Sequence, residues 1–260
     1  MTGTRAVRWF GFLALAASLA GCASSAPRRS SVVPEVDPKD PLAAMTLMQQ
    51  GQTLLAEGRS DAAVELFQAA RDLQPTNPTV YNVLGVAELR RNNPQAALVA
   101  FNQALSLAPT YSDARNNRGT AYLQLRQHSM AEADFLAVLS DTTYSNRAGV
   151  LFNLGSLYMV RGNLMAAEEN LRRATASGGP VDAFLLLGQA EEKLGRLELA
   201  EKAYLEAAGR SPDRPDVGMQ LARLYEGQGR HKEAQELYRK ILAQSPESPE
   251  AAEIRAKQGK

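Results

Sequence analysis

The side chains that could do acid–base or metal chemistry are few in this 260-residue chain and lie far apart along it. The two histidines, His128 and His231, fall in separate turns of the repeat array described below, where we expect both to be solvated. The acidic pairs Glu168-Glu169 and Glu191-Glu192 lie in predicted helices, where adjacent side chains point in different directions. Cys22 is the single cysteine, which excludes an internal disulfide and a multi-cysteine metal site. These residues predict neither a catalytic site nor a metal site.

Motifs and charge also argue against nucleotide binding, serine-hydrolase chemistry and nucleic-acid binding. The sequence has no Gly-x-x-x-x-Gly-Lys phosphate loop and no Gly-x-Ser-x-Gly nucleophile elbow. Its 29 basic residues nearly balance its 28 acidic residues, so the basic surplus typical of nucleic-acid-binding proteins is missing. We therefore expect a protein that is not an enzyme and that has no cofactor, no small-molecule substrate and no nucleic-acid partner.

The N-terminus has the parts of a bacterial lipoprotein signal. Arg5 and Arg8 precede an apolar stretch over residues 9–17, which is too short to span a hydrocarbon core of about 30 Å. Leu19-Ala20-Gly21-Cys22 follows, and it resembles the lipobox, in which the cysteine sulfur is lipidated and becomes the mature N-terminus. Residues 1–21 are therefore expected to be a cleaved signal peptide, with a covalent lipid on Cys22. An ordinary secretory signal with an incidental cysteine is the alternative.

A lipid on Cys22 predicts membrane attachment. Each buried CH₂ group contributes about 0.8 kcal/mol to membrane binding, and a lipidated cysteine carries several acyl chains. Residue 23 is Ala, and by resemblance to the bacterial sorting rule the lack of Asp there implies the outer membrane, for which we expect the periplasmic face. Residues 22–43 are rich in Ser and Pro, a composition typical of an extended, unpacked tether.

A pattern of about 34 residues then recurs six times. Each copy starts with a small residue, has an alanine twelve positions later, and has a large apolar residue four positions after that alanine. The small residues are Gly51, Gly85, Gly119, Gly155, Gly188 and Ala222, and the large ones are Phe67, Phe101, Phe135, Leu171, Tyr204 and Tyr238. Apolar spacings of three and four predict two amphipathic helices per copy. The small residues allow these helices to approach closely, and the large side chains fill the space beside them.

This pattern resembles the tetratricopeptide repeat. The resemblance implies an all-α fold, a right-handed superhelical solenoid of six helix pairs with a short C-terminal capping helix. The expected units are about 44–77, 78–111, 112–147, 148–180, 181–214 and 215–248, and the cap and tail occupy 249–260. Arg118 stands where the family usually has Leu, and Glu88 and Glu191 stand where it usually has Tyr. Stacked units share one continuous core, which a single pair cannot form.

The first helix of each pair lines the inner surface of such a solenoid. The resemblance assigns the exposed inner positions to those three before, one after, and four and five after the small residue. The residues there that we expect to form a protein-binding groove are Met48, Leu55, Asn82, Val86, Leu89, Asn116, Leu123, Phe152, Met159 and Leu185. In one interpretation they only pack between neighbouring helices. In the other, which we favour, they receive an amphipathic helix of a partner protein.

A lipidated chain with six such repeats also resembles the type IV pilus pilotin family (PilF/PilW and Tgl). The resemblance rests on length, lipobox, repeat number and the extended third unit, which contains Asp141-Thr142-Thr143-Tyr144. It implies a scaffold that binds the secretin subunit of a type IV pilus system and promotes its outer-membrane localisation or multimer assembly, in support of twitching or social gliding. The alternative is an envelope adaptor that docks a peptidoglycan hydrolase, a protease or a cell-division factor.

Overall fold

The computed structural model describes residues 32–34 and 36–259, and the regular structure in this part of the chain is entirely helical. The helices are α1 (Ala43–Ala56), α2 (Ser60–Leu73), α3 (Pro78–Arg90), α4 (Pro94–Leu107), α5 (Ser112–Gln124), α6 (His128–Ser140), α7 (Arg147–Val160), α8 (Leu164–Ala176), α9 (Val181–Lys193), α10 (Leu197–Arg210), α11 (Pro215–Gly227), α12 (His231–Gln244) and α13 (Pro249–Gln258). Six helix pairs and a final single helix confirm the predicted solenoid of helix pairs. Cys22 and the predicted signal peptide lie outside the described residues.

The turn inside each helix pair uses left-handed backbone at one fixed position, seven residues after the small residue. Four of the six units have glycine there, for example Gly58 with φ 76° and Gly195 with φ 76°. The second and third units have Asn92 with φ 58° and Arg126 with φ 57° instead. Arginine in this region carries the steric cost of its Cβ, which glycine does not have.

The two helices of a pair touch at the small residue. A Cβ atom at position 85 would lie 2.5 Å from Phe101 Cε1, and one at position 188 would lie 2.4 Å from Tyr204 Cε1. Real Cβ contacts are not this short, so the glycines make room for the large side chain of the following helix. The recurring small and large residues therefore pack as the repeat pattern predicts.

Successive units stack through both helices of each pair. The first helices α1, α3, α5, α7 and α9 each contact the next in the series, and α13 packs on α11 and α12 as a cap. The first helices from α1 to α9 therefore form a continuous row, which is the inner row of the predicted solenoid. The core follows the same path, since its clusters join residues of neighbouring units such as Phe135 with Leu154.

The segment before α1 differs from the expected unpacked tether. Val33 and Val36 are half-buried and pack against a cluster that contains Leu47, Leu66 and Val80. Apolar contact explains the difference, because the two valines cover the exposed end of the first helix pair. The packed part of the chain thus starts about ten residues before position 43. None of the helices in the described ranges is long and apolar enough to cross a bilayer.

Candidate protein-binding groove

The ten residues predicted for the groove all lie on first helices of the pairs, in α1, α3, α5, α7 and α9. Nine of them are half-buried: Met48, Leu55, Val86, Leu89, Asn116, Leu123, Phe152, Met159 and Leu185. Their apolar members pack against the core with part of their surface, as Leu123 does on the Phe135 cluster and Phe152 on the Leu171 cluster. The remaining surface is open to solvent, so this row supports the helix stack and keeps an accessible face.

Asn82 differs from this expectation, because it is only 8% exposed. Its Nδ2 donates a hydrogen bond to Tyr111 Oη at 3.2 Å, and its Oδ1 accepts one from Asn117 Nδ2 at 2.9 Å. A buried amide needs such partners on both of its atoms. Asn82 therefore joins α3 to α5 and the segment before it, and it contributes little accessible surface to the groove.

A second amide pair continues the row. Asn153 Nδ2 on α7 donates to Asn116 Oδ1 on α5 at 3.2 Å, and Asn116, Asn117 and Asn153 are all half-buried. The amides thus link three successive first helices along the inner side. Asn117 and Asn153 were not selected from the sequence, although the recurrence of Asn two and three positions before the small residue is a usable signal. Amide side chains offer both hydrogen-bond donors and acceptors. The row therefore carries polar groups beside its apolar side chains.

The extended loop of the third unit is held against the start of α5. Asp141 accepts hydrogen bonds from Thr143 Oγ1 at 2.6 Å and from Ser112 Oγ at 2.7 Å. These two bonds hold the pKa of the Asp141 carboxyl below its usual value, and the bond from Thr143 contributes more than the bond from Ser112. Tyr144 Oη donates to Asp113 Oδ1 at 2.8 Å, and burial raises the pKa of Tyr144. The irregular loop therefore fixes the position of α7, which carries Phe152.

On the side of the second helices, a tyrosine three residues after the small residue reaches the preceding unit. Tyr158 Oη donates to Glu132 Oε1 at 2.6 Å, and Tyr225 Oη donates to Glu201 Oε1 at 2.9 Å. The bond from Tyr158 lowers the pKa of Glu132, with a further contribution from Arg161. Burial, and then the contact with Glu132, raises the pKa of Tyr158 to about 12. These contacts couple adjacent units on the outer side.

Ionisable side chains do not gather into a metal site in the described ranges, where no group of three or more His, Cys, Asp or Glu could hold an ion. His128 and His231 are the first residues of α6 and α12. The residues predicted for the groove are apolar side chains and amides.

A family model described as the tetratricopeptide repeat matches residues 39–78, 48–112 and 152–215, and two further models of the same description match 193–257 and 100–133. The crystal structure of PilW, described as a widely conserved type IV pilus biogenesis factor, has a TM-score of 0.74 at 21% identity, with 81% of this chain and 97% of that chain covered. The Pseudomonas aeruginosa PilF structure has a TM-score of 0.70 at 19% identity, with 82% and 97% covered.

YrrB, described as a TPR protein with an unusual peptide-binding site, is a third similar structure. It has a TM-score of 0.55 at 18% identity, with 74% of this chain and 99% of that chain covered. At these identities the three structures show a shared fold. Because the tetratricopeptide repeat model matches more than half of its residues, the chain belongs to the tetratricopeptide repeat family.

Proposed function

We propose that this protein is a lipid-anchored, non-catalytic scaffold that binds the secretin subunit of a type IV pilus system and promotes its localisation or multimer assembly at the outer membrane. The observation that carries the proposal is the half-buried apolar row on the first helices, which keeps part of its surface open to solvent, within a fold that extends over 97% of both PilW and PilF. PilW is described as a type IV pilus biogenesis factor, which is why a pilus component is the partner we propose.

The groove is suited to a partner segment with apolar anchors. Leu123 on α5 and Phe152 on α7 lie near the middle of the row, on the two helices that the Asn116–Asn153 hydrogen bond joins. An amphipathic helix presents apolar residues at i, i+3, i+4 and i+7, which matches a groove built from parallel helices. A few residues near the centre of an interface carry most of its binding energy. Leu123 and Phe152 are therefore the residues whose loss we expect to weaken binding most.

The lipid on Cys22 supplies the location in this proposal. Secretin subunits are rich in strands, and unpaired strand edges make such chains prone to aggregate before they assemble. A binding surface tethered to the membrane raises the effective concentration of the captured subunit where the ring forms. Anchor and groove together account for the proposed activity without any catalytic step.

Deletion of the gene tests the proposal. We expect secretin multimers in the outer-membrane fraction to fall strongly while secretin monomer is still made, and complementation with the wild-type gene to restore them. Normal multimers in the deletion strain would overturn the secretin role. In that case, co-purification of the full-length protein with a peptidoglycan hydrolase, a protease or a division factor would support the envelope-adaptor alternative.

A further inference from the structure

Three asparagines on the inner row carry amide atoms that have no hydrogen-bond partner within the described part of the chain. Asn153 Nδ2 donates to Asn116 Oδ1 at 3.2 Å, which leaves Asn116 Nδ2 and Asn153 Oδ1 open. Asn117 Nδ2 donates to Asn82 Oδ1 at 2.9 Å, which leaves Asn117 Oδ1 open. The three side chains are half-buried, and no enclosed side-chain nitrogen or oxygen of the described residues lacks a partner, so the open atoms meet solvent.

The repeat register explains where these amides lie. Asn116 lies three positions before Gly119, which is a predicted groove position. Asn153 lies two positions before Gly155, and Asn117 is at the same position of the third unit. Because α5 and α7 contact each other, the amides of Asn116 and Asn153 meet between the two helices.

The Asn116–Asn153 pair has one hydrogen bond, whereas two amides that face each other can form two. A closed pair would also join Asn116 Nδ2 to Asn153 Oδ1, and the structure has no such second bond between these two residues. The pair therefore presents one open donor and one open acceptor, on separate atoms of neighbouring helices.

The hydroxyls one turn further along the same helices do not supply the missing partners. Thr120 Oγ1 donates to the backbone oxygen of Asn116 at 3.3 Å, and Ser156 Oγ donates to the backbone oxygen of Phe152 at 2.8 Å. Both hydroxyl protons are thus used within their own helices. The open amide atoms remain available to a bound molecule.

The groove positions around the pair are uncharged. In the second, third and fourth units, the residues three before, one after and four after the small residue are Asn82, Val86, Leu89, Asn116, Thr120, Leu123, Phe152, Ser156 and Met159. In the fifth and sixth units the same positions include Glu192, Arg223 and Glu226. A charged group bound at the pair would lose hydration without meeting an opposite charge at these positions. The pair is therefore suited to a neutral polar group.

A partner segment that covers the row removes water from the open amide atoms. An amide atom that is buried without a partner weakens the complex, so the segment must supply both an acceptor and a donor. The main chain of a bound helix cannot do this, because its N–H and C=O groups are bonded within the helix. A side chain of the bound helix must therefore provide both groups.

We propose that the partner helix carries an asparagine or glutamine on its apolar face, and that its carboxamide binds between Asn116 and Asn153. The carboxamide oxygen accepts from Asn116 Nδ2, and its nitrogen donates to Asn153 Oδ1. A carboxamide has its donor and acceptor on separate atoms, as the open pair does, whereas a hydroxyl has both on one atom. This inference rests on the proposed function, since it concerns the same groove, and it names the polar group that the partner presents beside its apolar anchors.

Peptides selected on the unmodified protein test the proposal without the choice of a natural partner. The probe is a phage-displayed library of amphipathic helices of about 18 residues, or five turns, in which each apolar-face position varies among Leu, Ala, Gln, Asn, Ser and Glu. The target is the purified full-length protein in detergent micelles. Clones are retained only if Leu123→Glu with Phe152→Glu removes their binding. We expect the retained clones to carry Gln or Asn at one apolar-face position.

A retained peptide and its apolar counterpart then measure the contribution of the carboxamide. The counterpart has Met in place of Gln, or Leu in place of Asn, which keeps a similar side-chain volume. We expect it to bind the unmodified protein at least about fivefold more weakly, because the open amide atoms are then buried without partners. Fluorescence anisotropy of the two synthetic peptides gives both affinities.

Variants of the protein locate the effect. Asn116→Leu with Asn153→Leu removes the amide pair, so the apolar peptide should bind this variant at least as tightly as the carboxamide peptide does. Its binding also shows that the variant is folded. Gln103→Leu is the matched control, since Gln103 is an exposed carboxamide on α4 outside the groove, and this variant should keep the fivefold preference of the unmodified protein.

Three results would overturn the proposal and leave the groove as a binding surface. They are retained clones whose apolar faces lack Gln and Asn, equal binding of the two peptides by the unmodified protein, or an unchanged preference in the double leucine variant. Recovery of no clone that depends on Leu123 and Phe152 would instead contradict the groove itself, and this proposal with it.

Discussion

Arg118 and Asp134 form a bidentate ion pair that joins the two helices of the third unit. Arg118 Nε donates to Asp134 Oδ2 at 2.8 Å, and Nη2 donates to Oδ1 at 2.7 Å. Asp134 is only 5% exposed, and its hydrogen bond raises the pKa of Arg118. The arginine that replaces the usual leucine of the repeat thus compensates for a buried acid on the facing helix.

Arg118→Leu is expected to destabilise the protein by about 3 kcal/mol, because it leaves the Asp134 carboxylate buried without its partner. Replacing both residues, Arg118→Leu with Asp134→Leu, should restore most of the loss, since an apolar pair needs no compensation. Urea unfolding, followed by circular dichroism, measures the free energy of unfolding of both variants. A double variant as unstable as the single one would contradict this explanation.

Gly188→Ala is expected to destabilise the protein by about 1–3 kcal/mol, because the new Cβ would overlap the Tyr204 ring. Gly209→Ala in α10 is the matched control, since nothing lies within 4 Å of its Cβ position, and alanine favours the helix there by up to about 1 kcal/mol. Thermal unfolding should therefore move in opposite directions for the two variants. A similar change in both would show that the close approach at Gly188 does not matter.

Tyr158→Phe removes the hydrogen bond to Glu132 and is expected to cost about 1 kcal/mol of unfolding free energy at pH 7. The folded pKa of Glu132 is lowered, so its contribution is present above the unfolded value of about 4.3 and is lost as pH falls through the folded pKa. The folded pKa of Tyr158 is raised to about 12, so its contribution is present below about 10 and is lost as pH rises through 12.

The difference between wild type and Tyr158→Phe should consequently be largest between about pH 5 and 9, and smaller at both extremes. Unfolding midpoints in urea, measured within this range and at both pH extremes, give this difference in stability. A difference that stays constant down to pH 3 would show that the bond to Glu132 does not contribute through its charge.

The fold was predictable because its determinants are local and repeated. The spacing of Gly85, Ala97 and Phe101 specifies one helix pair, and six copies specify the stack. The sequence also marked Arg118, Glu88 and Glu191 as departures. It did not show their consequences, because these depend on residues of other helices, such as Asp134 of α6, which faces Arg118 of α5.

The helices that carry the predicted groove residues were predictable, and the burial of each residue was less so. The repeat register placed Leu123 and Phe152 on the first helices of successive units, as the structure has them. The burial of Asn82 was missed because it results from Tyr111 and Asn117, which reach it from the next unit. Contacts between units depend on the rotation of one repeat on the next, which a pattern within a single repeat does not contain.

Cys22→Ala is expected to move the protein from the membrane fraction to the soluble fraction, because the proposed lipid is its anchor and each acyl CH₂ contributes about 0.8 kcal/mol to binding. The helical circular dichroism signal should stay unchanged, since the folded repeats start well after this residue. Immunoblots of fractionated cells measure the distribution, with a Ser24→Ala variant as control. Unaltered membrane association would contradict the anchor.

The central claim, that the inner row binds a secretin subunit, is tested most directly by the affinity of the purified full-length protein for that subunit. Leu123→Glu with Phe152→Glu should weaken binding at least about tenfold, because two apolar anchors near the centre of the groove are replaced by charges. Leu136→Glu is the control, since Leu136 is 49% exposed on α6 and lies outside the groove, and it should bind as the wild type does. Helicity should be retained in both. Wild-type affinity in the double variant would show that the inner row is not the binding surface.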